Sequence, residues 1–205
     1  MVLMRLFLVR HGETQANASG VFYGSTDLPL TPQGEVQSRR VAGWLSAHPF
    51  AEVIASGLRR AQDTARIIVG ETQVIGVDPR LNELDFGEWE MRHYRDIAAA
   101  YPQAWQAWTE NWQTATPPGG ESFAAFLARV RRVADEIGDR PAGVDRLVVA
   151  HQGVLSLLLA SWLEMPPESM WRFPFSQEGY SVVENRAGYW VLRRFNSSAP
   201  WQQDK

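Results

Sequence analysis

Two short apolar segments, one near the start of the chain and one in its last third, each lead into a histidine, the first after one intervening arginine. Residues 6–12 read LFLVRHG, and residues 147–153 read LVVAHQG. Uninterrupted apolar runs of this length are typical of strands that are buried on both faces of a parallel sheet. Open α/β sheets bind ligands at the carboxyl ends of their strands. If the two strands are neighbours, His11 and His151 therefore lie in one crevice.

The rest of the chain alternates between strand-length and helix-length segments. Strands are predicted at residues 3–9, 52–56, 73–77 and 146–150 and as two within 172–196, and helices at 31–47, 58–69, 92–112, 122–137 and 154–163. This alternation predicts an α/β fold, a three-layer α/β/α sandwich with a mostly parallel central sheet. Residues 1–205 are expected to form a single domain, and residues of about 85–120, which interrupt the alternation, a small helical insertion. Residues 10–30 are predicted to be a long loop, and residues 197–205 a frayed tail.

Composition excludes several classes of function. Lys and Arg number 20 against 23 Asp and Glu, so no positive field favours nucleic acid or an anionic membrane. The absence of cysteine removes disulfides, thiolate metal sites and cysteine nucleophiles. The first strand contains Arg5 and no small-residue cleavage site, so it is not a signal peptide, and the longest apolar stretch, 154–163, is too short to span a bilayer. A cytoplasmic protein is expected.

Two further segments could complete a site for an anion. Residues 56–65, SGLRRAQDTA, place Arg59 and Arg60 where a helix begins after a strand. Guanidinium groups and helix N-terminal amides both suit phosphate, so Arg10 with Arg59 or Arg60 could neutralise a dianion beside the histidines. Residues 80–90, RLNELDFGEWE, offer a carboxylate as general acid and base. Spacing alone leaves Glu83, Asp85 and Glu88 as alternatives.

These motifs, in this order, resemble those of the histidine phosphatase superfamily, which includes the cofactor-dependent phosphoglycerate mutases. The matching residues are RHGET from Arg10, the arginine before Ala61, LNE followed by GEWE, and the late HQG. The resemblance implies a three-layer α/β fold, no cofactor, and a metal-free mechanism through a phosphohistidine. The partner it implies is a small phosphorylated metabolite, and the oligomeric state stays open, with a homodimer as one alternative.

The resemblance also implies roles for individual residues. His11 would be the nucleophile, Arg10 and Arg60 would hold the phosphoryl oxygens, His151 would be the second histidine of the phosphate pocket, and Glu83 the proton donor. Asn17, Tyr23, Gly24 and Gln152 match positions that line the pocket. Imidazole needs its other ring nitrogen held by an acceptor, and a backbone carbonyl after His11 is expected to do this.

Further residues resemble the α-ribazole phosphatase branch of this superfamily. They include FGEWEMRHYRDI (86–97), the tryptophans at 105, 108 and 112, GGESF (119–123) and MPPESMWRF (165–173). This resemblance implies hydrolysis of α-ribazole 5′-phosphate or adenosylcobalamin 5′-phosphate, with the aromatic base stacked on Tyr94, Trp89 or those tryptophans, and His93 as a further candidate contact. Alternatives are a broad-specificity sugar-phosphate phosphatase or phosphoglycerate mutase-like enzyme, and a non-catalytic protein that binds a phosphorylated ligand.

Overall fold

The protein is built around a six-stranded sheet. The computed structural model describes residues 3–202. The strands are β1 (Leu3–Arg10), β2 (Glu52–Ser56), β3 (Ile75–Asp78), β4 (Asp145–Ala150), β5 (Tyr180–Arg186) and β6 (Tyr189–Ser197). Their order across the sheet is β3-β2-β4-β1-β5-β6. The pairs from β3 to β1 are parallel and the two pairs that involve β5 are antiparallel, so the sheet is mixed.

Helices cover both faces of this sheet. They are α1 (Gln15–Ser19), α2 (Pro32–Leu45), α3 (Arg59–Val69), α4 (Tyr94–Ala100), α5 (Pro102–Glu110), α6 (Phe123–Gly138) and α7 (Gln152–Trp162). Side chains of β1 alternate between the faces: Phe7 and Val9 share a core with α2 and α3, whereas Leu6 and Leu8 share one with α6 and α7. This period-two alternation separates two apolar cores. The predicted α/β fold with three layers is confirmed.

Local sequence explains where the main helices begin. The Thr31 hydroxyl accepts a hydrogen bond from the backbone N–H of Gly34, 3.0 Å away, and Pro32 occupies the first turn. The Ser122 hydroxyl caps α6 in the same way by accepting from Ala125, at 3.2 Å. Such caps satisfy N–H groups that have no partner within the helix. Thr31 and Ser122, where the sequence places the caps of these two helices, are therefore their observed N-caps.

The segment between β3 and α6 is irregular and largely helical. It contains 3-10 turns at Pro79–Leu81 and Gly87–Trp89, followed by α4 and α5. The helical segment expected over residues 92–112, with a break at Pro102, is two helices, because Tyr101 leaves the helical region immediately before Pro102. Trp89 is fully buried and packs edge-on against Trp105 and Trp108, so it forms the centre of this segment.

Two other expectations differ from the structure. The predicted loop at residues 10–30 contains the short helix α1, which Thr14 begins and Gly20 ends in the left-handed conformation. The predicted frayed tail is docked as far as the structure describes it. The ring of Trp201 packs edge-on against Phe7, with 5.0 Å between the ring centroids, and its backbone N–H donates to the Trp44 carbonyl. Apolar contact with the sheet outweighs the polar composition of these residues; residues 203–205 lie outside the described part.

Strand register brings three carboxyl ends together. Arg10 of β1 pairs with Ala150 of β4, and Ala55 of β2 pairs with Val149 of β4. The backbone N–H of His11 donates to the Ala150 carbonyl at 3.0 Å. His11 and His151 thus follow directly on paired residues of adjacent parallel strands. Across residues 3–202, no helix is long and apolar enough to cross a membrane.

Candidate active site

A cavity of about 300 Å³ opens at the carboxyl ends of β1 and β4. Its polar side is lined by Arg10, His11, Asn17, Tyr23, Arg60, Glu83, His151 and Gln152. The other residues that line it are mostly apolar and aromatic and are together called the aromatic wall, namely Val21, Phe22, Leu84, Phe86, Trp108, Trp112, Phe123, Phe126, Met170 and Trp171. A few convergent polar groups beside an apolar wall are typical of a site for a small organic ligand.

His11 is held in one tautomer by its own turn. Nδ1 lies 2.7 Å from the carbonyl oxygen of Gly12, which can only accept, so Nδ1 carries the proton and donates it. The lone pair of the neutral ring is therefore on Nε2. Burial lowers the pKa of His11 well below its usual value, and the charges of Arg60 and Arg10 lower the pKa further. A neutral imidazole with a free Nε2 can act as a nucleophile.

His151 faces His11 and is fully buried. The two ring centroids are 5.0 Å apart. Its Nδ1 accepts from Nε of Arg60 at 3.3 Å, and its Nε2 lies 2.7 Å from the Ser56 hydroxyl. Burial, and then the neighbouring His11 and Arg60, lower the pKa of His151 well below its usual value. With Nδ1 as acceptor, the proton of the neutral ring is on Nε2 and points to Ser56.

Two guanidinium groups supply the positive charge of the site. Arg60 is 1% exposed, and it donates to the carbonyl oxygens of Gly24 and Thr26 as well as to His151. Burial lowers the pKa of Arg60 and of Arg10, but arginine starts so high that both stay charged at neutral pH. Arg10 donates from Nη1 to the Phe175 carbonyl, and its buried Nε has no hydrogen-bond partner within residues 3–202. Such a donor suits an oxyanion.

The structure shows which of Arg59 and Arg60, left as alternatives by the sequence, lies in the cavity. Arg59 is exposed; its side chain pairs with Asp63 one turn later in α3, and its N–H donates to Asp27. Arg60, the next residue, points inward because the helix turns by about 100° per residue. The side chain in the cavity is that of Arg60.

Glu83 is the carboxylate that lines the cavity. Its Oε2 accepts from the N–H of Gly153, 2.9 Å away in the first turn of α7, and its Oε1 accepts from the N–H of Leu84 at 3.1 Å. These two bonds fix the carboxyl group at the N-terminal end of α7. Asp85 instead accepts from Ser25 and Gly87, and Glu88 is exposed. Of the three acids that spacing could not distinguish, Glu83 alone lines the cavity.

Three further lining residues are fixed by hydrogen bonds. Oδ1 of Asn17 accepts from the Tyr23 hydroxyl at 2.9 Å, from Thr14 and from Gln177. Its oxygen is thus saturated, and its amide nitrogen remains as a donor. The ring of Tyr23 lies under the Arg60 guanidinium, 4.6 Å from its centre. Gln152 donates from its side chain to Ser156 and to the Phe173 carbonyl.

Three of the candidate residues lie outside the cavity. Gly24 does not line it; its carbonyl holds Arg60, and a Cβ here would collide with the Leu84 carbonyl oxygen. His93 caps α4 by accepting from the N–H of Arg95 at 3.3 Å, and Tyr94 is 45% exposed beside it. Both face away from the cavity because α4 presents Ile97 to the interior. The substrate contacts expected of His93 and Tyr94 thus stay a prediction that the cavity lining does not support.

The aromatic wall differs from the one expected. Trp108 and Trp112 line the cavity, whereas Trp89 is buried beneath it and Trp105 is not among its lining residues. Aromatic residues from four other segments complete the wall: Phe22, Phe86, Phe123, Phe126 and Trp171. Phe86, Phe123 and Trp171 lie in segments that carry the family resemblance, but no pattern in the sequence predicted that they face one cavity, because their convergence depends on tertiary packing. Ser56, beside His151, was also missed, although it is the polar end of a buried strand.

Within residues 3–202, no group of three or more His, Cys, Asp or Glu side chains is arranged to hold a metal ion. The positive charges that face the cavity are those of Arg10 and Arg60.

This fold with two histidines, two arginines and one acid at the carboxyl ends of parallel strands defines a class of phosphoryl-transfer proteins. Residues 6–198 match the model of the histidine phosphatase superfamily, branch 1, and the chain belongs to this family.

Relatives within the family are similar over nearly the whole chain. The chain is 41% identical to an adenosylcobalamin/alpha-ribazole phosphatase of Salmonella typhimurium, over 98% of this chain and 100% of the relative. It is 34% identical to a probable phosphoglycerate mutase of Yersinia enterocolitica, over 92% of this chain and 88% of that one. The crystal structure of the alpha-ribazole phosphatase from Shigella flexneri has a TM-score of 0.93 at 40% identity and covers 98% of this chain and 100% of its own.

Proposed function

We propose that this protein is a phosphomonoesterase that transfers a phosphoryl group first to Nε2 of His11 and then to water. The observation that carries the proposal is the bond from Nδ1 of His11 to the Gly12 carbonyl. It leaves the lone pair of a neutral imidazole on Nε2, in a cavity that also holds two guanidinium groups. Phosphoryl transfer depends mainly on such positioning and charge stabilisation.

The reaction proceeds in two displacements. Nε2 of His11 forms a bond to phosphorus while the bond from phosphorus to the ester oxygen breaks, and Glu83 in its protonated form gives a proton to the departing alkoxide. A water molecule then attacks the phosphohistidine, Glu83 takes one of its protons, and the P–N bond breaks. Phosphate leaves, and His11 and Glu83 return to their starting protonation states.

The phosphoryl oxygens would be bound by Arg10, Arg60 and His151, with the amide of Asn17 as a further donor. The unpartnered Nε of Arg10 fits this role, and Arg60 keeps N–H groups beyond the three that protein acceptors use. His151 can present a proton to the phosphate if its ring releases Ser56 or exchanges tautomer. A phosphate dianion also balances the two guanidinium charges.

The substrate we propose is α-ribazole 5′-phosphate, or adenosylcobalamin 5′-phosphate in the assembly of the cobalamin nucleotide loop. The aromatic wall supports this choice because a flat base gains stacking contacts with Trp108, Trp112 or Phe22. The 41% identity to an adenosylcobalamin/alpha-ribazole phosphatase supports it as well. Because such charged metabolites do not diffuse through bilayers, we place the reaction in the cytoplasm.

A phosphoglycerate mutase-like or sugar-phosphate activity is the second candidate, since one relative at 34% identity carries a mutase name. The composition of the cavity opposes it. A phosphoglycerate has a carboxylate in addition to its phosphate, and the apolar wall offers no further cation to bind it. Leaving that carboxylate unpaired against aromatic side chains is costly.

The test compares kcat/KM for α-ribazole 5′-phosphate, 3-phosphoglycerate and p-nitrophenyl phosphate. We expect α-ribazole 5′-phosphate to be preferred by at least about 100-fold over 3-phosphoglycerate, as stacking and an unpaired carboxylate together predict. Preference for 3-phosphoglycerate would transfer the assignment to the second candidate. Rapid quenching should also trap an acid-labile phosphate on the wild type and on the surface variant His93→Asn, but not on His11→Asn.

A further inference from the structure

Glu90, to which the sequence assigned no role, is one of the most fully hydrogen-bonded carboxylates in the described structure. It accepts from the backbone N–H of Phe86 (2.9 Å), Gly24 (2.9 Å), Ser25 (3.1 Å) and Thr26 (3.1 Å), and from the Thr26 hydroxyl (2.6 Å). Residues 24–26, here called the clamp loop, thus direct three consecutive N–H groups at one side chain. Such convergence on a carboxylate gives charge-assisted bonds, which are stronger than neutral ones.

Carbonyl groups of the clamp loop point the other way, to Arg60. Nη2 of Arg60 donates to the Gly24 carbonyl at 2.6 Å, and Nη1 donates to the Thr26 carbonyl at 2.8 Å. The loop therefore lies between a carboxylate and a guanidinium, with its N–H groups toward the anion and its C=O groups toward the cation. Each charge polarises the peptide groups in the sense that strengthens the bond on the other side.

Arg60 depends on this loop because it has no direct carboxylate partner. Within the described residues its side-chain hydrogen bonds go to two clamp-loop carbonyls and to His151, and it takes part in none of the salt bridges. The Arg60 guanidinium also lies over the ring of Tyr23. Because backbone carbonyls of the clamp loop hold the Arg60 guanidinium, its position depends on the position of that loop.

We propose that Glu90 is a positioning residue for the phosphate-binding site, which fixes Arg60 through the clamp loop. The inference rests on the proposed function, since it takes Arg60 as a ligand of the phosphoryl group. Both oxygens of Glu90 accept, and Oε2 alone receives the Thr26 N–H and hydroxyl. Glutamine has the same shape, but its NH₂ would face these donors, so the loop must move and the carbonyls that hold Arg60 move with it.

The experiment compares Glu90→Gln with Glu88→Gln, the same change at an exposed residue two positions earlier. Binding of orthovanadate, measured as its inhibition constant against p-nitrophenyl phosphate, reports on the oxyanion site directly. We expect vanadate to bind about tenfold more weakly or worse in Glu90→Gln, with KM raised and kcat lowered, from the loss of charge-assisted bonds. Glu88→Gln should match the wild type, and Glu90→Asp should recover part of the loss because it restores the charge.

A double-mutant cycle with Arg60→Met tests whether Glu90 acts through Arg60. If it does, Glu90→Gln has little further effect on vanadate binding once Arg60 is replaced. A purely structural role for Glu90 predicts a lower Tm with an unchanged vanadate constant, or losses that add in the double variant, and either result overturns the proposal. If Glu90→Gln does not fold, Thr26→Val removes one donor to the carboxylate and should weaken vanadate binding by a smaller factor. A wild type that neither binds vanadate nor cleaves p-nitrophenyl phosphate would instead refute the proposed function.

Discussion

The carboxylate of Glu83 packs against the backbone of Gly153. Oε2 accepts from the Gly153 N–H at 2.9 Å, and a Cβ at Gly153 would lie 2.6 Å from Oε1. Gly153, two residues after His151, must therefore lack a side chain, because a side chain there would occupy the place of the Glu83 carboxylate.

Gly153→Ala should therefore displace the carboxylate while the fold persists. The atom that must move is the far end of a flexible side chain, and alanine is a better helix former than glycine. We expect kcat for an alkyl phosphate to fall by about tenfold or more, because the proton donor leaves its place, with Tm changed by only a few degrees. Steady-state kinetics and thermal unfolding measure the two effects.

Gly43→Ala is the matched control. Gly43 lies within α2, and a Cβ there meets nothing within 4 Å. The same substitution at this site should leave kcat unchanged and raise Tm slightly. Equal losses of activity in the two variants would show that Gly153 does not act through Glu83.

Glu83→Gln tests the acid directly through the leaving group. Glutamine can still occupy the place of the carboxylate, but it cannot supply a proton to an alkoxide. We expect kcat to fall by about 100-fold or more with α-ribazole 5′-phosphate, and much less with p-nitrophenyl phosphate, whose phenolate leaves without a proton. Glu88→Gln, an exposed neighbour, should retain wild-type kcat with both substrates. A uniform loss on both substrates would assign Glu83 to binding and transfer the acid role to Asp85.

The parts of the site that could be predicted from the sequence are those built by single strand ends. His11 and His151 each come at the end of a segment that the sequence predicts to be a buried strand, and they lie together because β1 and β4 are neighbours. The choice of Arg60 over Arg59 and of Glu83 over its neighbours came from the family resemblance, since spacing left both open. The structure supplies the physical reasons. Arg60 lies on the side of α3 that faces inward, and the carboxylate of Glu83 is held by a hydrogen bond from the N–H of Gly153.

The aromatic wall and the clamp loop could not be predicted in this way. Phe22, Phe86 and Trp171 come from separate irregular segments, where no periodicity reports which side chains face a common space. His93 and Tyr94 adjoin a recognised motif, yet neither lines the cavity. In irregular segments the orientation of a side chain is set by long-range hydrogen bonds, such as those that Glu90 accepts from the clamp loop. A local sequence pattern does not indicate such bonds.

Trp171→Ala tests the role of the aromatic wall in substrate choice. Trp171 is 60% exposed at the cavity, where it packs edge-on against Trp112 at 5.4 Å. Its removal should raise KM for α-ribazole 5′-phosphate several-fold, because about 1 kcal/mol of aromatic contact is lost. Hydrolysis of glycerol 3-phosphate, which has no ring, should not change. Tyr189→Ala removes a 74% exposed ring at the β5–β6 turn and serves as the control. Parallel changes with both substrates would argue against base recognition by this wall.

Stability should fall as the pH is lowered through the range in which histidine titrates. Burial lowers the pKa of His11 and His151 well below the usual value, and burial also lowers the pKa of His48, which packs against Phe7. The unfolded chain therefore binds protons below a pH of about 6.5 that the folded chain does not bind, so acid favours unfolding. About one pH unit above that value, all three rings are neutral in both states, and the effect vanishes.

Urea unfolding between pH 7.5 and 5.5 measures this dependence. We expect the free energy of unfolding to be nearly constant above about pH 7 and then to decline, with each buried histidine adding up to about 1.4 kcal/mol per pH unit to the slope. His11→Asn should decline less steeply than the wild type because one titrating group is gone. The α2 variant Gly43→Ala should keep the wild-type slope, because it leaves every histidine in place. A free energy of unfolding that stays constant down to pH 5.5 would contradict the neutral state that we assign to His11, and with it the nucleophile that the proposed reaction requires.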